Sequence, residues 1–489
     1  VRGASAQAPA LAAVDLGATS GRVVLGRLEE GRLTMEQVAR FPNTPVRFTE
    51  GRGEGLHWNI QALYGAVEEG LGRAAAAAPG LCSIGIDSWA VDYGLLRGGR
   101  MLGVPYHYRD GRSARGVELV HAVTDGAELY ARNGLQHLDF TTLFQLAAER
   151  ESGFLGLADR LLLLPDLVAY WLTGRARAEA TNASTTGLLS VADRSWDTGL
   201  MARLGFDPGL FADLVRPGER IGPLTPEAAG RLGTDRDGVQ VTAVGSHDTA
   251  SAVAAVPFED PDAAYISSGT WSLVGLELDR PVLTARAREA NFTNEGGVDG
   301  RVRFLRNVSG LWLLSESIRT WRGGTEGAGG ADGAALEDLL AAAAAVEGQV
   351  PVFDAADPRF VPPGDMPARI RGWFEERGVR PPGSRAEVVR SILESLAAAY
   401  ARTIDTAEEL SGRKAGTVHV VGGGSQNALL CRLTARRTGR RVVAGPVEAT
   451  AIGNLLVQAR AAGLVDPDAA LEDLRAIVRA SFPVTVYEP

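Results

Sequence analysis

The sequence predicts a two-domain α/β protein, and three observations carry that expectation. Short apolar runs that read as buried strands alternate with stretches of helical spacing. A strand–turn–strand unit at the start, Leu11 to Leu25, returns in mid-chain as Ala263 to Val274. Between the two lies Pro257–Asp262 (PFEDPD), whose prolines and acids read as a linker. The expected division is therefore residues 1–256 and 257–489.

The first unit opens with the apolar run Leu11–Val14, followed by Asp15, a turn of small and hydroxyl residues (Leu16 to Gly21) and a second run, Val23–Leu25. Glycine lets backbone N–H groups approach a ligand, and successive N–H groups form an anion-binding nest. Ser20 and Thr19 add donors and Arg22 a positive charge. Asp15 beside such a turn suits Mg²⁺ held against a phosphate chain. The same residues also fit an ordinary hairpin with a turn-capping aspartate.

Leu33–Phe41 continues as a third strand. Asn59 is placed to cap a helix from Ile60 to about Ala78, stopped by Pro79-Gly80. Ser83–Tyr93 (SIGIDSWAVDY) then runs from an apolar strand into two acids and two aromatics, as at the ligand-binding carboxyl edge of an open α/β sheet. Asp87, Trp89 and Asp92 are candidates to hold a polyhydroxylated ligand; a structural Trp with turn aspartates is the alternative. Tyr106–Asp110 is a second polar-aromatic cluster. Leu161–Leu172 is an apolar run with a helix opened at Pro165-Asp166 and closed at Gly174. Thr181–Gly187 reads as a polar turn or a ligand-facing segment.

Val239–Val244 is a strand ending at Gly245-Ser246-His247-Asp248-Thr249, before a small-residue helix from Ala250 to Val256. A carboxylate at such a junction can approach a substrate hydroxyl as a general base, or can cap the helix. Setting the two units side by side matches Gly269 to Gly17 and Ser272 to Ser20, which implies two related domains, each with a phosphate-binding hairpin. Farther on come NFTNEGG (Asn291–Gly297), an aromatic-rich helix from Leu311 to Trp321 and the Gly-rich stretch Gly323–Gly333. A capping box at Ser384 and Glu387 opens a long helix closed by Gly412. After the strand Thr417–Val421, Gly422-Gly423-Gly424 leaves room for an adenine or ribose against the backbone, and Asn427 either bonds a base or starts the next helix. The helix after Pro446 is read as domain packing.

The net charge of -9 and pI near 5.4 argue against a nucleic-acid or anionic-membrane binder. Lys414 is the only lysine, so catalytic-lysine schemes would have to use it. Cys82 and Cys431 stand alone among apolar neighbours and fit buried thiols in a reducing compartment. No C-x-x-C or His-rich metal pattern, signal-type apolar region or membrane-length run occurs, and the expectation is a soluble cytoplasmic protein.

Together these segments resemble the FGGY family of carbohydrate kinases. The likeness runs from AAVDLGATSGR through SIGIDSWAVDYGLL, YHYRDGR, GSHDTASAV, YISSGTWSLVG, NFTNEGG and VGGGSQN to GPVEATAIGN. It implies two actin-like (ribonuclease H-like) ATPase domains with an interdomain cleft, and ATP and Mg²⁺ as cofactors. Within the family, GSHDTAS, SSGTWSL and TNEGG point to members that phosphorylate L-rhamnulose at its 1-hydroxyl in L-rhamnose catabolism. By the resemblance, Asp248 is the base, His247 and Thr249 flank the sugar, and Ala90 touches it through the backbone. Ala18, Thr19, Ser20, Gly21 and Arg22 match the first ATP loop, Thr270 the second, Asn307 a further nucleotide contact and Gly423 the adenosine site. Ser315 stands where a glutamine is expected, so no role is carried to it. Another ketose (L-fuculose, L-ribulose or xylulose) would keep the same fold. So would a non-catalytic sugar- or nucleotide-binding regulator, against which the presence of both Asp15 and Asp248 argues. A monomer and a homodimer are equally compatible with the sequence.

Overall fold

The structure is a computed structural model that describes residues 8–51, 53–235, 237–323 and 333–489. Most of the Gly-rich stretch expected at 323–333 falls outside the described residues. The chain divides into two compact units, each returning to sequence-distant segments. The first comprises Val1–Pro257, Leu278–Phe304 and Ala449–Ser481; the second comprises Phe258–Glu277, Leu305–Glu448 and Phe482–Pro489. The first crossover falls at the expected linker, and the later crossings carry no composition signal.

The first unit is built on a six-stranded sheet in the order Arg220–Pro223, Gln240–Thr242, Leu81–Ser88, Ala10–Leu16, Ser20–Glu29, Arg32–Pro42. Gln240–Thr242, Leu81–Ser88 and Ala10–Leu16 run parallel, and the flanking strands are antiparallel. Strand alternation sorts the two faces. Val14, Leu16, Ile84 and Ile86 join Leu63, Val67 and Leu71 of the Ile60–Ala77 helix in one core. Asp15 and Asp87 therefore point to the other face, which the Ala449–Ala461 helix covers. Gly85 lies on that face too, and a Cβ there would fall 2.6 Å from Gln458 Nε2. The missing side chain is what lets this helix approach.

The second unit repeats the plan. Its strands run Val302–Ser309, Trp271–Leu278, Ala264–Ser268, Thr417–Val421, Arg441–Ala444, Thr485–Tyr487. Ala264–Ser268 pairs antiparallel with the strand that follows it and parallel with Thr417–Val421, as Ala10–Leu16 does with its two neighbours. The weak sequence repeat is thus a repeat of topology. Its register needs correction past the glycine. Gly17 N donates to Ser20 O, whereas Gly269 N donates to Trp271 O, both at 2.9 Å. The second turn is one residue shorter, so Trp271 and not Ser272 occupies the place of Ser20.

Three local expectations are also revised. Asn59 sits at the N-cap of its helix without a side-chain bond to it. The run at 161–172 begins as a strand, Arg160–Leu163, before the Leu164–Thr173 helix that Gly174 ends at φ 68°. Thr181–Gly187 is not an open polar turn: it starts within a short helix, Ala180–Ala183, capped by the buried Glu179. The capping box at Ser384 and Glu387 forms as read. Cys82 is half-buried and Cys431 buried, both free. Among the described residues no helix is long and apolar enough to cross a membrane.

Candidate active site

In the first unit the carboxyl ends of three neighbouring parallel segments lie side by side. Asp15 and Asp87 are direct cross-strand neighbours. Ser88 bridges to His247 in parallel, and Ser88 N donates to Ser246 O at 2.9 Å. Asp248 follows as the first residue of the Asp248–Ala254 helix. The cap position belongs to His247, whose side chain makes no cap bond, so Asp248 is not there as a helix cap. Its Oδ1 accepts from Thr249 Oγ1 at 3.0 Å. A third of its side chain is exposed, yet burial by the surrounding protein raises its pKa; His247 opposes that and Asp15 adds to it.

Asp87 is fully buried. One oxygen accepts from Asn454 Nδ2 at 2.5 Å, and the other, Oδ1, has no partner. Burial first, and then the Asp15 charge, push its pKa well above the carboxylate range. Asp15 is answered by Arg22, directly opposite on the next strand, whose Nε and Nη2 reach Oδ2 at 2.8 and 2.6 Å. Arg22 was expected as a phosphate-facing cation; here it is the counter-ion of Asp15. Strand pairing imposes this, because Asp15 lies inside the first strand and Arg22 inside the second, leaving Gly17, Ala18 and Thr19 as the turn. Thr19 is exposed at the tip, and Asn43 pins the turn through Gly17 O and Thr19 O.

Three carboxylates against one guanidinium, with a buried oxygen unpartnered, suit a divalent cation carrying its own waters and a phosphate. Among the described residues no cluster of three or more His, Cys, Asp or Glu is arranged to enclose a metal by itself.

Trp89 and Asp92 do not face an open pocket. Asp92 is 1% exposed and accepts from Trp58 Nε1 at 2.6 Å, Trp89 Nε1 at 3.0 Å, Gln145 Nε2 at 2.9 Å and Tyr108 N at 3.1 Å. Three of these bonds converge on Oδ2 and one reaches Oδ1, so both oxygens are engaged by the protein interior. Burial pushes Asp92 up to about 6, the four bonds opposing. Trp58 packs on Trp89 at 4.0 Å with the rings tilted by 36° and stacks on His107 at 4.1 Å, and burial takes His107 down to about 3, with Arg109 and Arg47 helping. The sequence-based sugar-binding reading of Asp92 gives way to a structural one. Between the two, Ala90 stays partly exposed. Val91 beside it has φ 70°, and Asp92 N donates to Ala90 O at 3.0 Å, a tight three-residue turn that a β-branched residue adopts only under strain. Thr142 Oγ1, bonded to Val91 O at 2.7 Å, helps hold it.

Four residues the sequence reading did not single out complete the surroundings. Glu179 Oε2 accepts from Ser246 N and Oγ, at 3.0 and 2.8 Å, and so anchors the His247–Asp248 corner. Glu295 and Arg303, both buried, meet His247 Nδ1. Asn454 lies on the helix read as plain packing. The capping pattern E-x-T could have flagged Glu179; Glu295 and Asn454 lie within NFTNEGG and GPVEATAIGN, segments that carry the family resemblance without a role for either residue, and no local pattern marks Arg303.

In the second unit, Gly269 and Thr270 form the hairpin tip and Gly310 packs beneath it, where a Cβ would fall 2.7 Å from Gly269 O. Gly422 (φ 81°) presses on Ser268, and Gly424 leaves no room for a Cβ beside Ser268 Oγ. Gly423, between them, is exposed with open space above it. Asn307 is half-exposed on the neighbouring strand. Asn427 caps the Ala428–Thr438 helix through Leu430 N at 3.0 Å and is 7% exposed, which favours the capping alternative over a base contact.

Residues 10–255 match the N-terminal domain, and residues 264–462 the C-terminal domain, of the FGGY family of carbohydrate kinases. Rhamnulokinase of Bacteroides thetaiotaomicron is 40% identical over 480 residues, covering 98% of this chain and 95% of that protein. Rhamnulokinase of Pectobacterium carotovorum is also 40% identical, over 98% of this chain and 93% of its own length. Among solved structures, gluconate kinase from Lactobacillus acidophilus superposes with a TM-score of 0.78 at 16% identity, over 98% of this chain and 94% of that one. Xylulose kinase from the same organism gives 0.77 at 17% identity, with the same coverage. At such identities these two structures speak for the fold.

Proposed function

The chain belongs to the FGGY family of carbohydrate kinases, and on that premise we propose that it transfers the γ-phosphoryl of ATP to the 1-hydroxyl of L-rhamnulose, giving L-rhamnulose 1-phosphate and ADP. The single observation that carries the chemistry is Asp248: a carboxylate of raised pKa, reachable from solvent, at the carboxyl edge of the sheet. The sugar is drawn from the rhamnulokinases at 40% identity over nearly the whole chain.

Phosphoryl transfer asks the protein for positioning, charge neutralisation and exclusion of water. Asp248 accepts the proton of the acceptor hydroxyl as the O–P bond forms and the bond to ADP breaks. A base so placed contributes roughly 10²–10⁴-fold. His247, Thr249 and the backbone at Ala90 surround the sugar. In the first unit Gly17–Ser20 faces the phosphates; in the second unit Thr270 and Asn307 do so, and Gly422–Gly424 takes the adenosine. Asp15, with Asp87 beside it, would hold Mg²⁺, which neutralises phosphate charge when bound. The division of labour follows the chain: base and sugar site in residues 1–256, second phosphate hairpin and adenosine site in 257–489.

The test is ADP release with Mg·ATP across L-rhamnulose, L-fuculose, L-ribulose, xylulose and glycerol. Preference for L-rhamnulose with the product phosphorylated at carbon 1 is expected. Preference for another ketose would move the substrate alone, and ATP binding without turnover on any of them would overturn the kinase reading.

A further inference from the structure

His247 is held from behind by two buried charges that come from residues far along the chain. Its Nδ1 lies 3.0 Å from Arg303 Nη2 and 3.2 Å from Glu295 Oε2. Its Nε2 lies 3.5 Å from Asp248 Oδ1. Arg303 has no exposed surface; its Nε donates to Gly296 O at 2.9 Å and its Nη1 lies 3.1 Å from Glu295 Oε2. The exposures of His247 and Glu295 are 9% and 7%. Burying two opposite charges costs desolvation, and Glu295 Oε2 and Arg303 Nη1 meet at ion-pair distance without a well-aligned hydrogen bond, so their pairing alone does not account for their place behind His247.

The chemistry of the ring nitrogens narrows what is fixed. A neutral imidazole that accepts from Arg303 at Nδ1 carries its hydrogen on Nε2, facing Asp248. A protonated imidazole donates from Nδ1 to Glu295 and again carries a hydrogen on Nε2. The remaining tautomer can turn Nδ1–H to Glu295 as the protonated form does, but it sets the Nε2 lone pair against the Asp248 carboxylate, 3.5 Å away, with no ring charge to offset the contact. Both permitted forms therefore present Nε2–H to Asp248 and the space beside it. We infer that Glu295 and Arg303 are positioning residues that hold His247 as an obligatory Nε2–H donor next to the catalytic base and its sugar. The inference rests on reading Asp248 as that base. It adds to it a reason why a fully buried guanidinium and a carboxylate only 7% exposed stand behind His247.

The experiment is a double-mutant cycle on the full chain, in steady-state kinetics with L-rhamnulose and Mg·ATP. Glu295→Gln is expected to lower kcat about 10–100-fold, the scale of a misplaced catalytic group, with the KM for ATP unchanged. In a His247→Asn background the same substitution should change kcat by less than about twofold, because its route of action is gone. His247→Gln, whose amide nitrogen occupies the Nε2 position, should turn over at least about tenfold faster than His247→Asn, whose amide mimics Nδ1. An equal loss in both backgrounds, or equal rates for the Gln and Asn variants, overturns the inference. If Glu295→Gln does not fold, Arg303→Lys carries the same cycle, since one ammonium does not span Glu295, His247 and Gly296 at once. Asp248→Asn in the same assay separates the two readings. Wild-type turnover in that variant refutes the base, whereas an inactive Asp248→Asn with no coupling between Glu295 and His247 refutes only this inference.

Discussion

Asp248→Asn isolates the proton-accepting role from the charge the residue brings. The substitution keeps the shape and an acceptor for Thr249 Oγ1, now 3.0 Å away, but removes the base. Loss of roughly 10²–10⁴-fold in kcat is expected, about 3–5 kcal/mol of barrier. Sugar KM should stay within about threefold. Stability should move the other way. Asp248, Asp15 and Asp87 lie close together, and the pKa of Asp87 is raised first by its full burial and further by the charges of Asp15 and Asp248. Removing one of the three charges should stabilise the unliganded protein by about 0.5–1 kcal/mol, discounted because a third of Asp248 is exposed. That is a rise of about 1–3 °C in Tm. The pH profile follows from the same shift. Asp248 accepts a proton only when ionised, and its pKa is raised, so kcat/KM of the wild type should fall as pH drops through a value above the ordinary carboxylate range. The assays are coupled ADP release between pH 4.5 and 8 and differential scanning fluorimetry. Turnover within about fivefold of wild type refutes the base. Lost turnover together with a lowered Tm refutes the account of the carboxylate cluster.

Gly422→Ala places a Cβ 2.9 Å from Ser268 O at φ 81°, so the second unit's glycine turn must shift; the KM for ATP should rise about tenfold while that for the sugar stays within about twofold. Parallel rises in both constants would count against the adenosine assignment. Asp92→Ala leaves the donors of Trp58, Trp89, Gln145 and Tyr108 unpaired in the interior and should destabilise the protein by about 3 kcal/mol or more, read as a shifted urea midpoint in tryptophan fluorescence. A loss below about 1 kcal/mol would mean that Asp92 is not the hub of that cluster.

The legible part of the site was the part written in neighbouring residues. The Gly17 and Gly269 turns, the Gly422–Gly424 bend, the Asp248 junction and the Ser384 capping box each arise from residue types adjacent in the chain, through steric freedom at Gly422 and local hydrogen bonding at the turns and the capping box. Asp92 shows where that logic stops. Its sequence neighbours made it look like a ligand carboxylate, and only Trp58, 34 residues earlier, and Gln145, 53 later, reveal that its oxygens are taken.

By itself the sequence determined two related α/β units, a Gly-turn hairpin in each and a carboxylate at a strand-to-helix junction, because backbone periodicity and turn chemistry are set within a few residues. The tertiary structure decided which charges meet. Strand register put Arg22 on Asp15 and Asp15 beside Asp87. A helix returning 367 residues later brought Asn454 to Asp87, and Arg303 came to His247 from 56 residues away. Coulomb and hydrogen-bond energies depend on distance in space, which chain order leaves open until the sheet is assembled.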